Sequence, residues 1–399
     1  MKKIINHLAN LNEEKKRIVN IIHKQGPIAK SSILALTGMK LSTLNRIMQQ
    51  LVDYELIVES GIGESSGGRK PSLYDVNSKK IFICGIDLSR TYTRIIITDL
   101  KMNIIFRDQF TMNESHTPEK TLDKIAAVIH DALDKLGIDK CHLLGAGIGT
   151  VGPMDRSRGL MINPVNFPAK GWCDVPIGAI LSDKLKCPVI IDNGANAAVL
   201  SEYLFGDGKK FGSIAYFNCG VGIRTGAITS GTVIRTMNGT EDSFGHMTID
   251  VDGEPCSCGN FGCIECYSSI SAIERNFITS FKKGRSTSVS KDIHEIGFID
   301  ICNAADQNDT LAKEVISGAA AIFGAGLANY INLLNPGLII LSGPLIKNSK
   351  LFYDTCTEIA LKKHYSKGED KVIFSRGGYF KDDAISVGAA AMVAECSLA

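Results

Sequence analysis

Residues 81–99 read IFICGIDLSRTYTRIIITD. Ile81–Ile86 is a short apolar run, Asp87-Leu88-Ser89-Arg90-Thr91 supplies turn residues, and Arg94–Thr98 is a β-branched run closing at Asp99. Branched side chains suit a pleated, half-buried surface, and Asp and Ser reverse the chain, so the stretch predicts a strand, a turn and a second strand. A degraded copy, IAYFNCGVGIRTGAIT, stands at 214–229, with Cys219-Gly220-Val221-Gly222 at its turn and a second strand at Thr225–Thr229. Two similar hairpins about 130 residues apart imply two related lobes, each alternating strands with helices. Apolar strands are expected at Cys141–Ile148, Pro188–Ile191 and Leu338–Ser342, and a long small-residue helix from about Leu311 to Leu334, stopped at Asn335-Pro336. Residues 81–399 therefore read as an α/β body: lobe one about 81–192 plus the C-terminal helix, lobe two about 193–380. Glycine-rich turns present backbone N–H groups to phosphate, but they are also common in loops that bind nothing.

The first eighty residues read differently. Asn12 before Glu13 and Glu14 suits a helix start, with Leu11, Ile18, Ile21 and Ile22 as its apolar stripe and Gly26-Pro27 as its stop. A short helix over about Lys30–Leu36, a turn at Thr37-Gly38-Met39 and a helix from about Leu41 to Tyr54 follow. In that last helix Leu41, Leu44, Ile47, Met48 and Leu51 share one face. Ser42, Thr43, Asn45, Arg46, Gln49 and Gln50 lie elsewhere, and such side chains hydrogen-bond base edges and phosphates. Leu56–Ser60 and Ser72–Val76 read as strands flanking GIGESSGGRKP, whose basic pair is Arg69-Lys70. Helix, turn, helix and a positive hairpin make a winged helix-turn-helix over residues 1–80, the wing lying along the phosphate backbone. Its candidate DNA-binding residues are Ser42, Thr43, Asn45, Arg46, Gln49, Arg69 and Lys70. The isolated segment is expected to bind DNA with strong salt dependence.

Charge agrees with that division. The 399 residues carry a formal net charge of only +2, with 44% apolar and 22% charged residues, which excludes a mainly disordered or collagen-like chain. Residues 1–80 hold 13 of the 44 Lys and Arg but 7 of the 42 Asp and Glu, a net of +6, leaving the body at −4. No run of about 18 consecutive apolar residues is present, so no membrane span is expected. The N-terminus lacks the apolar core of a signal peptide, so the expected compartment is the cytoplasm.

Twelve cysteines without an export signal point to reduced thiols or a metal site. His246, Cys256, Cys258 and Cys263 fall within 18 positions, spaced C-x-C-x4-C with the histidine ten ahead, and Gly259 and Gly262 let the chain curl. Cys3His is an established zinc set, and four protein ligands leave no open position, so one structural zinc per chain is expected. Cys266 stands as an alternative to the preferred Cys263.

These residues resemble the ROK family of repressors and sugar kinases along essentially the whole chain. GHMTIDVDGEPCSCGNFGCIE at 245–265 resembles the family's zinc motif, and GGRKP at 67–71 the wing of its DNA-binding members. Gly147–Asp155, Asn335-Pro336 and Leu341-Ser342-Gly343 also match family segments. The resemblance implies a two-lobed actin-like ATPase (ribonuclease H-like) fold, and a dimer or tetramer. Kinase members place an aspartate base where this chain has Gly194, in Asp192-Asn193-Gly194-Ala195-Asn196. Their first phosphate turn has paired glycines where this chain has Ser89-Arg90, and the second turn carries Cys219 and Arg224 where small residues are usual. A lost base and a rebuilt turn argue against phosphoryl transfer, so no enzyme activity is expected. The family's sugar contacts fall on Asn166, Asn193, His246 and Glu265, with Ser243 replacing a glutamate. The resulting expectation is a transcriptional repressor of carbohydrate-utilisation genes that binds double-stranded operator DNA and is released by a sugar effector. A sugar kinase with residual ATP-dependent activity, and a DNA-binding protein whose body takes a protein partner or non-sugar ligand, stay open.

Overall fold

The computed structural model describes residues 3–63, 70–164, 167–236, 243–365 and 371–398. The chain divides into two compact units, Met1–Phe205 with Ile385–Ala399, and Gly206–Ala384.

The first unit opens with α1 (Lys3–Ala9), α2 (Glu13–Gln25), β1 (Ile28–Ala29), α3 (Lys30–Thr37), α4 (Leu41–Asp53), β2 (Ile57–Ile62) and β3 (Ser72–Val76). Asn12 caps α2, its Oδ1 accepting from the Lys15 N–H at 3.2 Å, with Glu13 and Glu14 at the positive end of the dipole. Gly38 ends α3 in the left-handed region at φ 67° and makes the turn into α4. Leu44, Ile47, Met48 and Leu51 of α4 are 0–2% exposed. Each such burial is worth ~1.5–3 kcal/mol, more than the ~1 kcal/mol of a cap, so this face is what holds the module together. The strands form an antiparallel sheet in the order β1-β3-β2. Two elements were not anticipated. β1 has only two residues, and α1 is held by tertiary contacts: Leu8 is buried, and His7 stacks on Tyr54 at 4.2 Å. β2 also runs two residues past Ser60 on exposed side chains, sustained by its pairing with β3.

The unit continues with β4 (Phe82–Leu88), β5 (Tyr92–Asp99), β6 (Ile104–Thr111), α5 (Pro118–Lys135), β7 (Leu143–Thr150), a two-stranded ribbon β8–β9 (Met154–Asp155, Leu160–Met161), α6 (Ile177–Leu185), β10 (Val189–Asn193) and α7 (Gly194–Phe205). The second unit contains β11 (Ser213–Cys219), β12 (Ile223–Thr229), β13 (Thr232–Val233), α8 (Ile264–Ser268), α9 (Ile270–Lys282), α10 (Phe298–Asp306), α11 (Thr310–Leu334), β14 (Leu338–Ser342), α12 (Pro344–Asn348), α13 (Lys350–Lys363) and β15 (Ile373–Arg376); α14 (Ala384–Leu398) returns to the first. The sheet orders are β10-β7-β4-β5-β6 and β13-β12-β11-β14-β15. Counted within each unit, both are the same order: an antiparallel meander of three strands, then two parallel strands added beside the first. The hairpins at 81–99 and 214–229 are the first two strands of the two sheets, so the fold is the duplicated α/β arrangement of actin-like domains.

The lobe boundary expected at 192/193 lies at 205/206. The reason is α7, which packs on β7 and β10 and meets α14 through Ala197, Gly388, Ala389 and Met392. A Cβ on Gly388 would stand 1.7 Å from the Ala197 carbonyl oxygen, and Cβ atoms on Gly85 and Gly147 would stand 2.0 Å and 1.8 Å from the Ser386 and Ala389 oxygens. Backbone touches backbone at these points, so α14 lies directly on the sheet and on α7.

In the second unit, α11 is long and apolar enough to cross a membrane, alone among the described residues, which the expectation of no such stretch did not foresee. Twelve of its residues are buried, and it packs on α13, α8 and α9 as the core helix of the unit, with Phe323 and Leu327 fully covered.

Candidate functional site

On α4, Ser42, Asn45, Arg46 and Gln49 are exposed and Thr43 is half-exposed, on the side opposite the buried leucines. Gln49 Nε2 donates to Asp53 Oδ1 at 2.9 Å, and Arg46 is the cation that α4 itself supplies. Lys70 is exposed at the end of the wing; Arg69 lies outside the described residues. Lys30 was missed by the sequence reading. Its ammonium donates to Asn45 Oδ1 at 3.2 Å and stands 5.1 Å over the Tyr74 ring, so it braces a candidate base-reading side chain. Only the sheet that brings Tyr74 beneath α3 reveals it.

The module is also tied to the body of its unit. His23, 4% exposed, lies 2.6 Å from the Leu100 carbonyl through Nε2, which donates, and its ring meets Phe205 edge-on at 5.4 Å. Lys24 pairs with Glu395 at 2.7 Å, and Lys101 pairs with the buried Asp75. None of these contacts joins residues close in sequence, so no pattern announces them.

In the second unit, His246, Cys256, Cys258 and Cys263 bring their ligand atoms within 4.8 Å of one another. Cys258 and Cys263 Sγ are 3.8 Å apart, and Cys256 Sγ is 3.6 Å from His246 Nδ1. Ligands ~2.3 Å (sulfur) and ~2.0 Å (nitrogen) from one tetrahedral zinc have edges of about those lengths, so the donors present fit the ion, with Nδ1 as the histidine donor. Burial raises the Cys256 thiol, but the Cys258 N–H, the Cys258 thiol and His246 outweigh it and hold it at about 7, near thiolate. Burial pushes Cys263 up, as does the neighbouring pair of thiols. Cys266 is not among the four converging donors: its thiol donates to the Pro255 carbonyl at 3.6 Å, and burial, with the neighbouring Cys256 thiol, raises it to about 11. Gly262 closes the loop at φ 65°, and a Cβ there would stand 1.5 Å from the Asp250 oxygen, so only glycine fits.

The candidate sugar contacts divide between the units. Asn193 is buried at the end of β10, its Oδ1 accepting from the Ala195 N–H at 2.8 Å. Glu265 Oε2 accepts from the Ile223 N–H at 2.8 Å, which ties the cysteine loop to the β11–β12 turn. Ser243 and His246 bound one short 3₁₀ turn. Asn166 lies outside the described residues.

A Cβ at Gly194 would meet Ile385 Cδ1 at 3.3 Å and Cγ2 at 3.5 Å, a close contact with the end of one α14 side chain. The neighbouring Asp192 is 2% exposed, accepts from the Asn193 N–H and from Asn196 Nδ2, and lies 3.6 Å from Arg156 Nε, so it is already committed. At the β4–β5 turn, Tyr92 Oη donates to Asp87 Oδ2 at 2.8 Å. A cavity of about 360 Å³ at the C-terminal ends of β14 and β15 includes Ser342, Gly343, Lys347 and Arg376 in its lining. Arg376 donates to the Ile346 and Lys347 carbonyls, Lys347 pairs with Asp382 at 2.5 Å, and Lys381 is the third cation of the lining.

A model of the ROK family matches residues 83–396. The chain is 31% identical to the xylose repressor of Bacillus subtilis over 88% of this chain and 87% of that one. It is 25% identical to the dual regulator NagC of Escherichia coli over 84% and 81%, and 28% identical to a glucokinase of Halalkalibacterium halodurans over 66% and 80%. Among solved structures, a ROK family transcriptional regulator described as a homologue of the E. coli MLC protein superposes with a TM-score of 0.80, at 22% identity and 97% coverage of both chains. A ROK family glucokinase from Streptomyces griseus, in complex with glucose and AMPPNP, superposes with a TM-score of 0.67 at 25% identity, over 78% of this chain and 98% of that one. The duplicated sheets, the cysteine loop and these matches lead to one conclusion: the chain belongs to the ROK family.

Proposed function

We propose that this protein is a DNA-binding transcriptional repressor of sugar-utilisation genes, with the winged helix as its reading head and the body as a sugar sensor. The observation that carries the proposal is the division of α4, with four apolar side chains sealed in the module's core and Ser42, Asn45, Arg46 and Gln49 facing out. Arg46, Asn45 and Gln49 suit base edges, and Ser42, Thr43, Lys70 and Arg69 suit phosphate and groove walls. Relatives named as xylose repressors support the regulatory reading and make D-xylose the first effector to try. Asn166, Asn193, His246 and Glu265 are the residues we assign to the sugar. The effector would act by linkage, binding better to the conformation with poor operator affinity. A dimer or tetramer would place two recognition helices on the half-sites of a near-palindrome. The protein would work in the cytoplasm, where operator DNA is found and thiols stay reduced.

His246, Cys256, Cys258 and Cys263 would hold one structural zinc, which cross-links the loop and leaves no open position for catalysis. Kinase activity is not part of the proposal, because Gly194 has no side chain to accept a proton. Two assays test this. A gel shift with DNA from upstream of the protein's own and neighbouring genes should show a specific complex that a sugar releases. ATP consumption over a sugar panel should stay at background; turnover abolished by Asn193→Ala would overturn the non-enzymatic reading.

A further inference from the structure

α7 and α14 both start at the same point and both end on the winged helix. α7 begins with Gly194, next to Asn193, and α14 places Ile385 3.3 Å from where a Gly194 Cβ would be. From there α7 runs to Phe205, whose ring meets His23, and α14 runs to Glu395, which pairs with Lys24. Eleven and ten residues of helix carry each about 16 Å and 15 Å. His23 and Lys24 are consecutive residues of α2, so the two helices reach adjacent points of the DNA-binding module.

The helices are bound to each other along the way. Ala197, Ala389 and Met392 form one buried cluster with Leu200 against it, and Gly388 sits on the Ala197 carbonyl with no room for a methyl group. Small residues at these contacts bring backbone onto backbone, so neither helix can shift without the other. These two helices also flank the two points where the chain passes between units, at 205/206 and at 384/385. A displacement at Asn193 or Ile385 is therefore carried to α2 by two stiff, mutually locked elements.

We infer that the α7–α14 pair transmits the state of the ligand site to the winged helix, with Glu395, Lys24 and Phe205 as positioning residues that touch neither sugar nor DNA. The inference rests on the proposed effector-released repressor. At its distal end the joint is an ion pair and an aromatic edge. The Lys24 and Glu395 side chains are 31% and 28% exposed, which suits a joint that can be remade.

The test measures three quantities on the full-length chain and on Glu395→Gln: melting temperature, D-xylose affinity by isothermal titration calorimetry, and operator affinity with and without saturating D-xylose. D-glucose and N-acetylglucosamine are run alongside, and the sugar that releases the wild type is used throughout. Wild type should lose at least about tenfold in operator affinity when that sugar is added, within the 5- to 150-fold range typical of allosteric coupling. Glu395→Gln should bind sugar and sugar-free operator within threefold of wild type, while its release ratio falls at least threefold. The charge-swapped pair Lys24→Glu with Glu395→Lys should recover release, which a purely structural role would not require. An unchanged release ratio in Glu395→Gln, at an unchanged melting temperature, would overturn the coupling and leave the repressor reading standing. Loss of sugar affinity in the same variant would also overturn it, by placing the defect in the pocket. A wild type that binds operator but is released by none of the sugars would remove the sugar-effector reading and this inference with it.

Discussion

The two five-stranded sheets share a strand order and differ in what surrounds their first hairpin. In the first unit the hairpin turn is closed by Tyr92, which bonds Asp87, and α14 lies against Gly85 and Gly147 further back along β4 and β7. In the second unit the turn is braced from outside, where Glu265, on α8 two residues after Cys263, accepts from the Ile223 N–H. The same framework thus answers two demands. One copy carries α14 directly against its strands; the other is bonded at its turn by the segment that brings three cysteines and a histidine together. The two turns can differ in this way without changing the fold, because strand order and core are set by other residues.

The comparison can be broken most directly at the cross-link. Cys258→Ser should abolish zinc binding, from one ion per chain to none by elemental analysis, and destabilise the protein by ~4 kcal/mol or more, read as a fall in melting temperature. Retained zinc with an unchanged melting temperature would mean that the second hairpin stands without the ion. On the first side, Gly147→Ala puts a methyl group 1.8 Å from the Ala389 oxygen, where the colliding atoms are backbone. It should cost ~3 kcal/mol, and zinc content should stay at one per chain, which separates the two units experimentally.

How much of this was legible follows from the range of the interactions. The hairpin at 81–99 and its copy announce themselves because β-branched runs and turn residues are local signals, and both proved to be strands one and two of their sheets. The cysteine spacing likewise picks out, before any geometry is known, the four residues whose side-chain donor atoms converge. By contrast, the assignment of Gly194–Phe205 to the first unit depends on Gly388 meeting Ala197, residues far apart in the chain. Lys30 on Asn45, His23 on Leu100 and Lys24 on Glu395 are of the same kind. Gly194 could be read in the sequence as lacking the base, but its contact with Ile385 could not.

Smaller effects sharpen the contrast between the reading head and its supports. Arg46→Ala should weaken operator binding about tenfold or more, with the melting temperature near wild type, since Arg46 is exposed and outside the core. Normal operator affinity in that variant would displace α4 as the recognition helix. The gentlest test is acid. Burial holds the His23 ring's pKa below its ordinary 6.5, against the opposing pull of the Leu100 carbonyl and Glu395. The unfolded chain takes up a proton as pH falls through 6.5 while the folded chain resists, so this stability is complete above 6.5 and is lost as pH falls toward the folded value. The drop in melting temperature between about pH 7.5 and 5.5 should be steeper in wild type than in His23→Gln, which keeps a donor for Leu100 but does not titrate. Equal slopes would show that the module's dock is indifferent to this ring.

The most direct measurement of the whole account is fluorescence anisotropy of a labelled operator fragment titrated with the full-length protein, repeated with saturating D-xylose, D-glucose and N-acetylglucosamine. The account predicts specific, strongly salt-dependent binding that at least one sugar weakens by about tenfold or more. Binding that competitor DNA removes as easily as operator, at every sugar and salt concentration, would contradict it.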